Sequence, residues 1–264
     1  MPHLARIQIF PIKSLDPLSV QTARVLPAGA LEFDRRFALA DAAGRFINGK
    51  RTDLINTLES RCDPSNRTVS IGLRGTGDLR QFHLDDDRNG LEVMLAAHFK
   101  MSVQLVENAI TGLPDDTDAP GPTIISTATL ETVASWFDHI SLDEARLRFR
   151  ANLEIGGVEP FWEERLYAAA GQVVRFQVGG VALEGTNPCA RCVVPMRDPA
   201  TGEFDPIFKQ QFRTRREATL PAWAHRSRFD HFYRLAINTQ PVAGFSGGEL
   251  NVGDDVQFSG AESS

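Results

Sequence analysis

Cysteine is scarce in this chain: Cys62, Cys189 and Cys192 are the three thiols among 264 residues. So few sulfurs cannot build a disulfide framework, which points to a reducing, cytoplasmic compartment. Long apolar runs are also missing; none approaches the ~20 residues needed to span a bilayer, so no membrane attachment is expected. The opening Met1–Arg6 lacks the basic-then-apolar order of a signal peptide. Positive charge is in deficit, with 28 Lys and Arg against 34 Asp and Glu and a formal net charge of -6. A chain of that sign has no global basic field to release counterions, which argues against a nucleic-acid partner. No segment repeats at a period of roughly 20–50 residues, which excludes solenoids and propellers.

What is present is a succession of short strand signals. Ile7, Ile9 and Ile12 run apolar through the first, with Pro11 marking its end. Phe33–Ala40 leads into a turn at Asp41–Gly44 and returns as Arg45–Asn48; Thr68–Leu73 is another strand. Asn89, with Glu92 three residues on, offers a capping box to a helix carrying Leu91, Met94, Leu95 and Phe99. The Pro-, Gly- and Asp-rich stretch 108–122 reads as a connecting loop. Beyond it, Leu130, Val133, Ala134 and Phe137 share a helical face, with Ser126, Thr127 and Thr129 as candidate caps. Leu147, Phe149, Ala151, Leu153 and Ile155 then alternate with Arg146, Arg148, Arg150, Asn152 and Glu154, the pattern of a strand with one polar face. Gly179-Gly180 joins Val173–Val178 to Val181–Glu184 as a hairpin. The last strands fall near Tyr233–Asn238 and Asp254–Phe258, with a turn at Phe245–Gly248 between them and a frayed tail from Gly260. The fold class is therefore mainly β with a few short helices (α+β). Short strands with turn signals about every ten residues suggest a barrel or sandwich.

The chemistry is expected in Asn187–Gly202. There Cys189 and Cys192 leave a strand, cross a Pro-bounded loop and return through Val193-Val194 before a turn at Asp198–Gly202. Four readings of this Cys-x-x-Cys compete. A zinc site needs about four ligands, and His225 and His231 are the candidates downstream. A redox dithiol would open a helix, which the following Val-Val-Pro disfavours. Two thiols packed in a β-loop need no function. The fourth reading is a single thiolate ligand to a soft metal, with Arg191 beside Cys192 favouring the charged form. One thiolate cannot hold a metal unaided, so an anionic organic cofactor would supply the remaining ligands. Basic anchors for it would come from Lys13, Arg35-Arg36, Lys50-Arg51 and the Arg148/Arg150 face.

Five pieces of sequence, in order, resemble the MOSC proteins with an N-terminal MOSC β-barrel domain. They are Phe10–Ser14, Asp34–Phe37, Phe149–Asn152, Pro188–Cys192 with Asp198–Gly202, and Gly253–Val256. Within that group the chain is similar to the mitochondrial amidoxime-reducing component and its bacterial relatives. In fold, the resemblance implies a β-barrel-like domain over 1–107, the loop over 108–122, and a second β-barrel domain over 123–259. The resemblance implies the molybdenum cofactor (Mo-molybdopterin), with no pyridoxal phosphate expected, and Cys192 as the catalytic residue and protein ligand to the metal. It implies that Lys13, Ser14 and Arg35 hold the phosphate end, and that Arg150, Asn152 and Arg191 line the pterin and metal. It further implies a molybdenum-dependent oxidoreductase that removes oxygen from a small N-hydroxylated or N-oxide substrate. Electrons would come from a separate ferredoxin- or flavoprotein-type donor, since the sequence to Ser264 lacks the cysteines of an added iron–sulfur domain. The alternative is a carrier of the cofactor, or of a persulfide, without turnover of its own. Two positions depart from the reductases: Ala190 stands where they carry Ser, and Ala119-Pro120 where they carry Thr-Ser.

Overall fold

The computed structural model describes the backbone of residues 1–263 and the side chains of residues 1–258. Its strands are β1 (His3–Ile9), β2 (Leu18–Val20), β3 (Thr22–Val25), β4 (Phe37–Ala40), β5 (Leu58–Asp63), β6 (Thr68–Leu73), β7 (Arg80–His83) and β8 (Gln104–Glu107). They continue as β9 (Ile124–Ser126), β10 (Leu153–Gly156), β11 (Gln172–Val178), β12 (Val181–Ala190), β13 (Arg234–Pro241), β14 (Gly248–Asn251) and β15 (Val256–Ser263). The α-helices are α1 (Arg88–Phe99), α2 (Thr127–Ala134), α3 (Leu142–Phe149) and α4 (Phe208–Ala218). The mainly β class with few helices holds. Among the described residues no helix is long and apolar enough to cross a membrane.

Eight strands form one sheet in the order β15-β11-β12-β13-β9-β10-β1-β2. The β9–β10 pair is parallel, since α2 and α3 carry the chain back between them; the other pairs are antiparallel. β1 therefore sits in the sheet built mostly by the second half of the chain. Barrel closure is incomplete. A lone His3–Asp255 bridge, flanked by bonds from Leu4 N to Asp254 O at 2.8 Å and Val256 N to Pro2 O at 3.0 Å, ties the sheet's ends without a ladder. The remaining strands make open sheets, β5-β6-β7, β4-β8 and β3-β14.

Three apolar cores follow from this layout. Leu4, Ile7, Leu153, Ile155, Phe176 and Leu183 fill the large sheet. Phe137, Phe149, Phe208 and Phe212 pack α2, α3 and α4 against its outer side. Phe37, Val69, Ile71, Leu91 and Leu95 hold β4 to β8 and α1 together. Gly179-Gly180 is the hairpin turn between β11 and β12, with Gly179 at φ 54°.

The alternation over 146–155 is a strand only from Leu153. Residues 142–149 form α3, because Ser141 Oγ accepts from Glu144 N at 3.1 Å and Asp143 and Glu144 occupy the first turn. Ala145 and Phe149 are its buried face, a helical spacing that the period-two pattern masked. Helix α1 starts at Arg88 after Asp87, not at an Asn89 cap, and Glu92 instead accepts from Leu105 N at 2.8 Å. Only Phe37–Ala40 of the expected 33–40 strand is extended; Phe33 and Arg35 have positive φ in a turn. After Cys192 the chain does not return as a strand but makes a 3-10 turn over Val194–Met196, started by Pro195. The tail is not frayed as far as it is described: Ser263 pairs with Gln172. Ser264, the last residue of the expected tail, lies outside the described residues.

Candidate functional site

Four chain segments meet at one end of the large sheet. β1 runs antiparallel to β10, so the residues leaving β1 lie beside those entering β10, and Gln8 N bonds Asn152 O at 2.7 Å. β9 enters beside β10, with Ile124 opposite Leu153, and the end of β12 reaches the same edge through β13. Phe10–Ser14, Pro122-Thr123, Arg150–Asn152 and Cys189–Cys192 are thus brought together from positions far apart in sequence.

Between them lies a cavity of about 540 Å³, lined by all seven residues expected at the site: Lys13, Ser14, Arg35, Arg150, Asn152, Arg191 and Cys192. Eight basic and five acidic side chains line it, so its wall is cationic although the chain is acidic. Ser14, Arg35 and Arg150 have φ of 71, 49 and 51°. Left-handed backbone costs a non-glycine residue of order 1 kcal/mol, and three such residues at one cavity mark a site shaped against local preference.

Arg150 caps α3 and holds Leu15 O at 2.8 Å, 4.1 Å above the Phe10 ring; Arg35 covers the same ring at 4.9 Å. Burial, and next the Arg35 charge, lower the Arg150 pKa to about 10. Arg35 also pairs with Asp34 and reaches Asn152 Oδ1 and Arg150 O at 3.3 Å each. Arg191 bonds Phe149 O, and its Nε is buried without a partner. That leaves a guanidinium edge for an acceptor.

Lys13 is buried; its Nζ donates to Leu113 O at 2.8 Å and meets Asp115 Oδ1 at 2.7 Å. Burial lowers its pKa, and Asp115 opposes the shift. Lys50 Nζ meets the other oxygen of Asp115 at 2.9 Å. Burial disfavours ionised Asp115, but the two ammonium groups outweigh it and hold the carboxyl at about 2. Cys189 is buried and its Sγ–H donates to Asn238 Oδ1 at 2.6 Å; burial pushes the thiol up to about 11. Cys192 is half-buried and faces the cavity. The two thiols are therefore not equivalent.

Residues 1–140 match the MOSC N-terminal beta barrel domain and residues 123–257 match the MOSC domain. The chain belongs to the MOSC family. A molybdenum cofactor sulfurase of Caenorhabditis briggsae is 28% identical over 97 residues, which are 35% of this MOSC chain and 13% of that protein. The chain thus spans about an eighth of that relative. A crystal structure of a hypothetical protein overlaps 52% of the chain and 50% of its own, at 10% identity and a TM-score of 0.31.

The MOSC cleft gathers some candidate anchors and excludes others. Lys50 and Arg148 line it, whereas Arg36 is turned to Glu107 at 2.7 Å and Arg51 to Asp41 at 3.0 Å. Asn152 lines the wall, yet its Oδ1 accepts from Thr123 N, Thr123 Oγ1 and Arg35, while Nδ2 donates to Gln8 O. It joins wall segments to one another. Asp115, Asp116, Asn238 and Arg197 also line the cleft, though no motif in the sequence marks them. Asp115 and Asp116 lie in the stretch that reads as a connecting loop, where three aspartates among prolines are the available signal.

Proposed function

We propose that this MOSC protein binds the molybdenum cofactor in the cleft, with Cys192 as the protein's sulfur ligand. We further propose that it removes oxygen from small N-hydroxylated or N-oxide substrates. One observation carries the reading: Cys192 shares a single cationic cavity with Lys13, Arg35, Arg150 and Arg191. The lining fits an anionic pterin. It is rich in guanidinium donors, which suit phosphate and heterocycle acceptors in a planar fork, and it keeps the Arg191 Nε edge free. A zinc site lacks its ligands: among the described residues no group of three or more His, Cys, Asp or Glu could hold a metal ion.

When bound and reduced by its electron donor, the cofactor would supply the two electrons that removal of the substrate's oxygen atom requires. The chain's own residues do the rest. Lys13, Lys50 and Arg35 would hold the anionic end, and Arg150 and Arg191 the end beside Cys192. Cys189 keeps its proton and its bond to Asn238, and so buttresses the loop without competing as a ligand. Electrons would come from a separate ferredoxin- or flavoprotein-type donor in the cytoplasm.

Expression in a cofactor-competent host followed by metal analysis is the test. Wild-type protein should carry about one molybdenum per chain, Cys192→Ser close to none, and Cys189→Ser most of the wild-type load. Equal loss in both variants points back to a dithiol site. With an artificial reductant the loaded protein should consume benzamidoxime. The name of the sulfurase relative favours one alternative, a carrier of the cofactor or of a Cys192 persulfide. Full loading with no turnover across an N-oxide panel would select it.

A further inference from the structure

The segment from Leu113 to Gly121 crosses the cleft as a strap. Its ends are fixed by backbone bonds, Leu113 N to Arg35 O at 2.8 Å and Gly121 N to Thr239 O at 2.9 Å. A Cβ at Gly121 would lie 2.4 Å from Thr239 Oγ1, so that end sits too close to β13 for any side chain. Between the ends, residues 114–120 make no backbone–backbone hydrogen bond. Side chains hold the middle: Asp115 bridges Lys13 and Lys50, and Asp116 Oδ2 accepts from Asn238 Nδ2 at 2.9 Å.

We propose that Asp115 is a built-in counter-ion occupying the anion subsite of the cleft, and that a dianionic phosphate-type group binds by displacing it from Lys13 and Lys50. This rests on reading the cleft as a cofactor site. The geometry matches an exchange of like for like. One carboxylate places an oxygen on each of two ammonium groups, at 2.7 and 2.9 Å, and a phosphate presents the same pair of acceptors with more charge. A monovalent anion gains nothing by replacing a tethered carboxylate, whereas a dianion does, so the contact selects by charge. Half of the Asp115 side chain faces solvent (53% exposed), which leaves it a route out. Lys13 is almost wholly enclosed and has no such route; its Leu113 O bond can persist when Asp115 leaves. The closed strap taxes ligand affinity by the fraction of molecules in which it is open.

Titration of cofactor-free full-length protein with inorganic phosphate by calorimetry tests this. Asp115→Asn should bind phosphate about tenfold more tightly than wild type, as expected when a contact closed about nine-tenths of the time is released. Asp118→Asn, which removes the same charge from the strap without touching either lysine, should change the affinity less than about twofold. Equal or weaker binding by Asp115→Asn, or no phosphate binding by either protein, overturns the proposal. If Asp115→Asn does not fold, wild type alone decides: saturating phosphate should speed proteolysis within 113–121, and slower cleavage overturns it. Molybdenum content after expression in a cofactor-competent host is read separately. A loaded wild type with no Asp115 effect sinks the counter-ion and spares the cofactor reading; an Asp115 effect with no loading does the reverse.

Discussion

This molecule buries charge in two places, and the two are built on opposite plans. Behind the large sheet, Glu163 and Glu164 are buried side by side, and Arg216 is wholly enclosed between Phe161 at 4.3 Å and Phe229 at 5.2 Å. Arg216 pairs with Glu164, and Glu163 accepts from Thr129 Oγ1 at 3.0 Å. None of these three charged side chains lines the cleft. The cleft instead lines about 540 Å³ with eight basic and five acidic side chains, so its charge is left for something else to balance. A buried cluster whose charges face one another inside the protein serves structure, whereas an open cluster with a surplus of basic groups fits the proposed binding role. Variants should separate the two.

The largest effect is expected in the sealed cluster. Arg216→Met strands Glu164 without its partner in an apolar site, which should cost roughly 3–5 kcal/mol in denaturant unfolding. Arg191→Met in the cleft leaves no such stranded charge and should cost under about 1.5 kcal/mol, while molybdenum content falls steeply. If the two variants lose equal stability, the contrast between the clusters fails.

The clusters should also titrate in opposite directions. Burial, and next the charge of Glu164, raise the Glu163 pKa from 4.5 to about 7. Its folded form binds the extra proton, so its contribution is full below about pH 4.5 and is lost as pH rises to about 7. Asp115 is shifted down from 3.8 to about 2, so its contribution is full above pH 3.8 and is lost as pH falls towards 2. The Glu163 effect should reach a few kcal/mol and that of half-exposed Asp115 far less. Urea midpoints between pH 5 and 7.5 should decline in wild type and stay flat in Glu163→Gln; a parallel decline refutes the assignment.

Legibility in the sequence followed the same divide. Cys192, Lys13, Arg35 and Arg191 could be found because a short motif or a resemblance singled each one out. The hairpin at Gly179-Gly180 was legible because two apolar runs flank a turn that glycine favours. The cluster at Arg216 was not, since a buried arginine on a basic helix looks like its exposed neighbours Arg213 and Arg215 until packing is known. Asp115 was hidden for a related reason: a loop's composition reports that it lacks regular structure, not what its carboxylates touch. The alternation over 146–155 has a physical cause. Alternation and helical spacing coincide where Arg148 is buried by its bonds to Glu144 and to Pro195 O at 2.8 Å, so a charged residue occupies an interior position.

Helix α3 gives the smallest and most specific test. Arg150 reaches the cleft because α3 ends one residue earlier and Arg150 takes the left-handed cap. Its place in the cleft is thus set by a helix terminus, and α3 is set at its other end by the Ser141 cap. Ser141→Ala should lower stability by about 1 kcal/mol, the usual worth of an N-cap, and leave molybdenum content unchanged because α3 is also held by Phe149 and by the Arg146–Glu154 pair at 2.7 Å. Arg150→Gly should cost less than that, since glycine accepts φ 51° freely and offsets the lost stack on Phe10, yet it should reduce phosphate affinity several-fold. A substitution that relaxes the backbone and weakens the ligand would show that the strain at position 150 serves binding, whereas a large stability loss with intact affinity would place Arg150 with the sealed cluster.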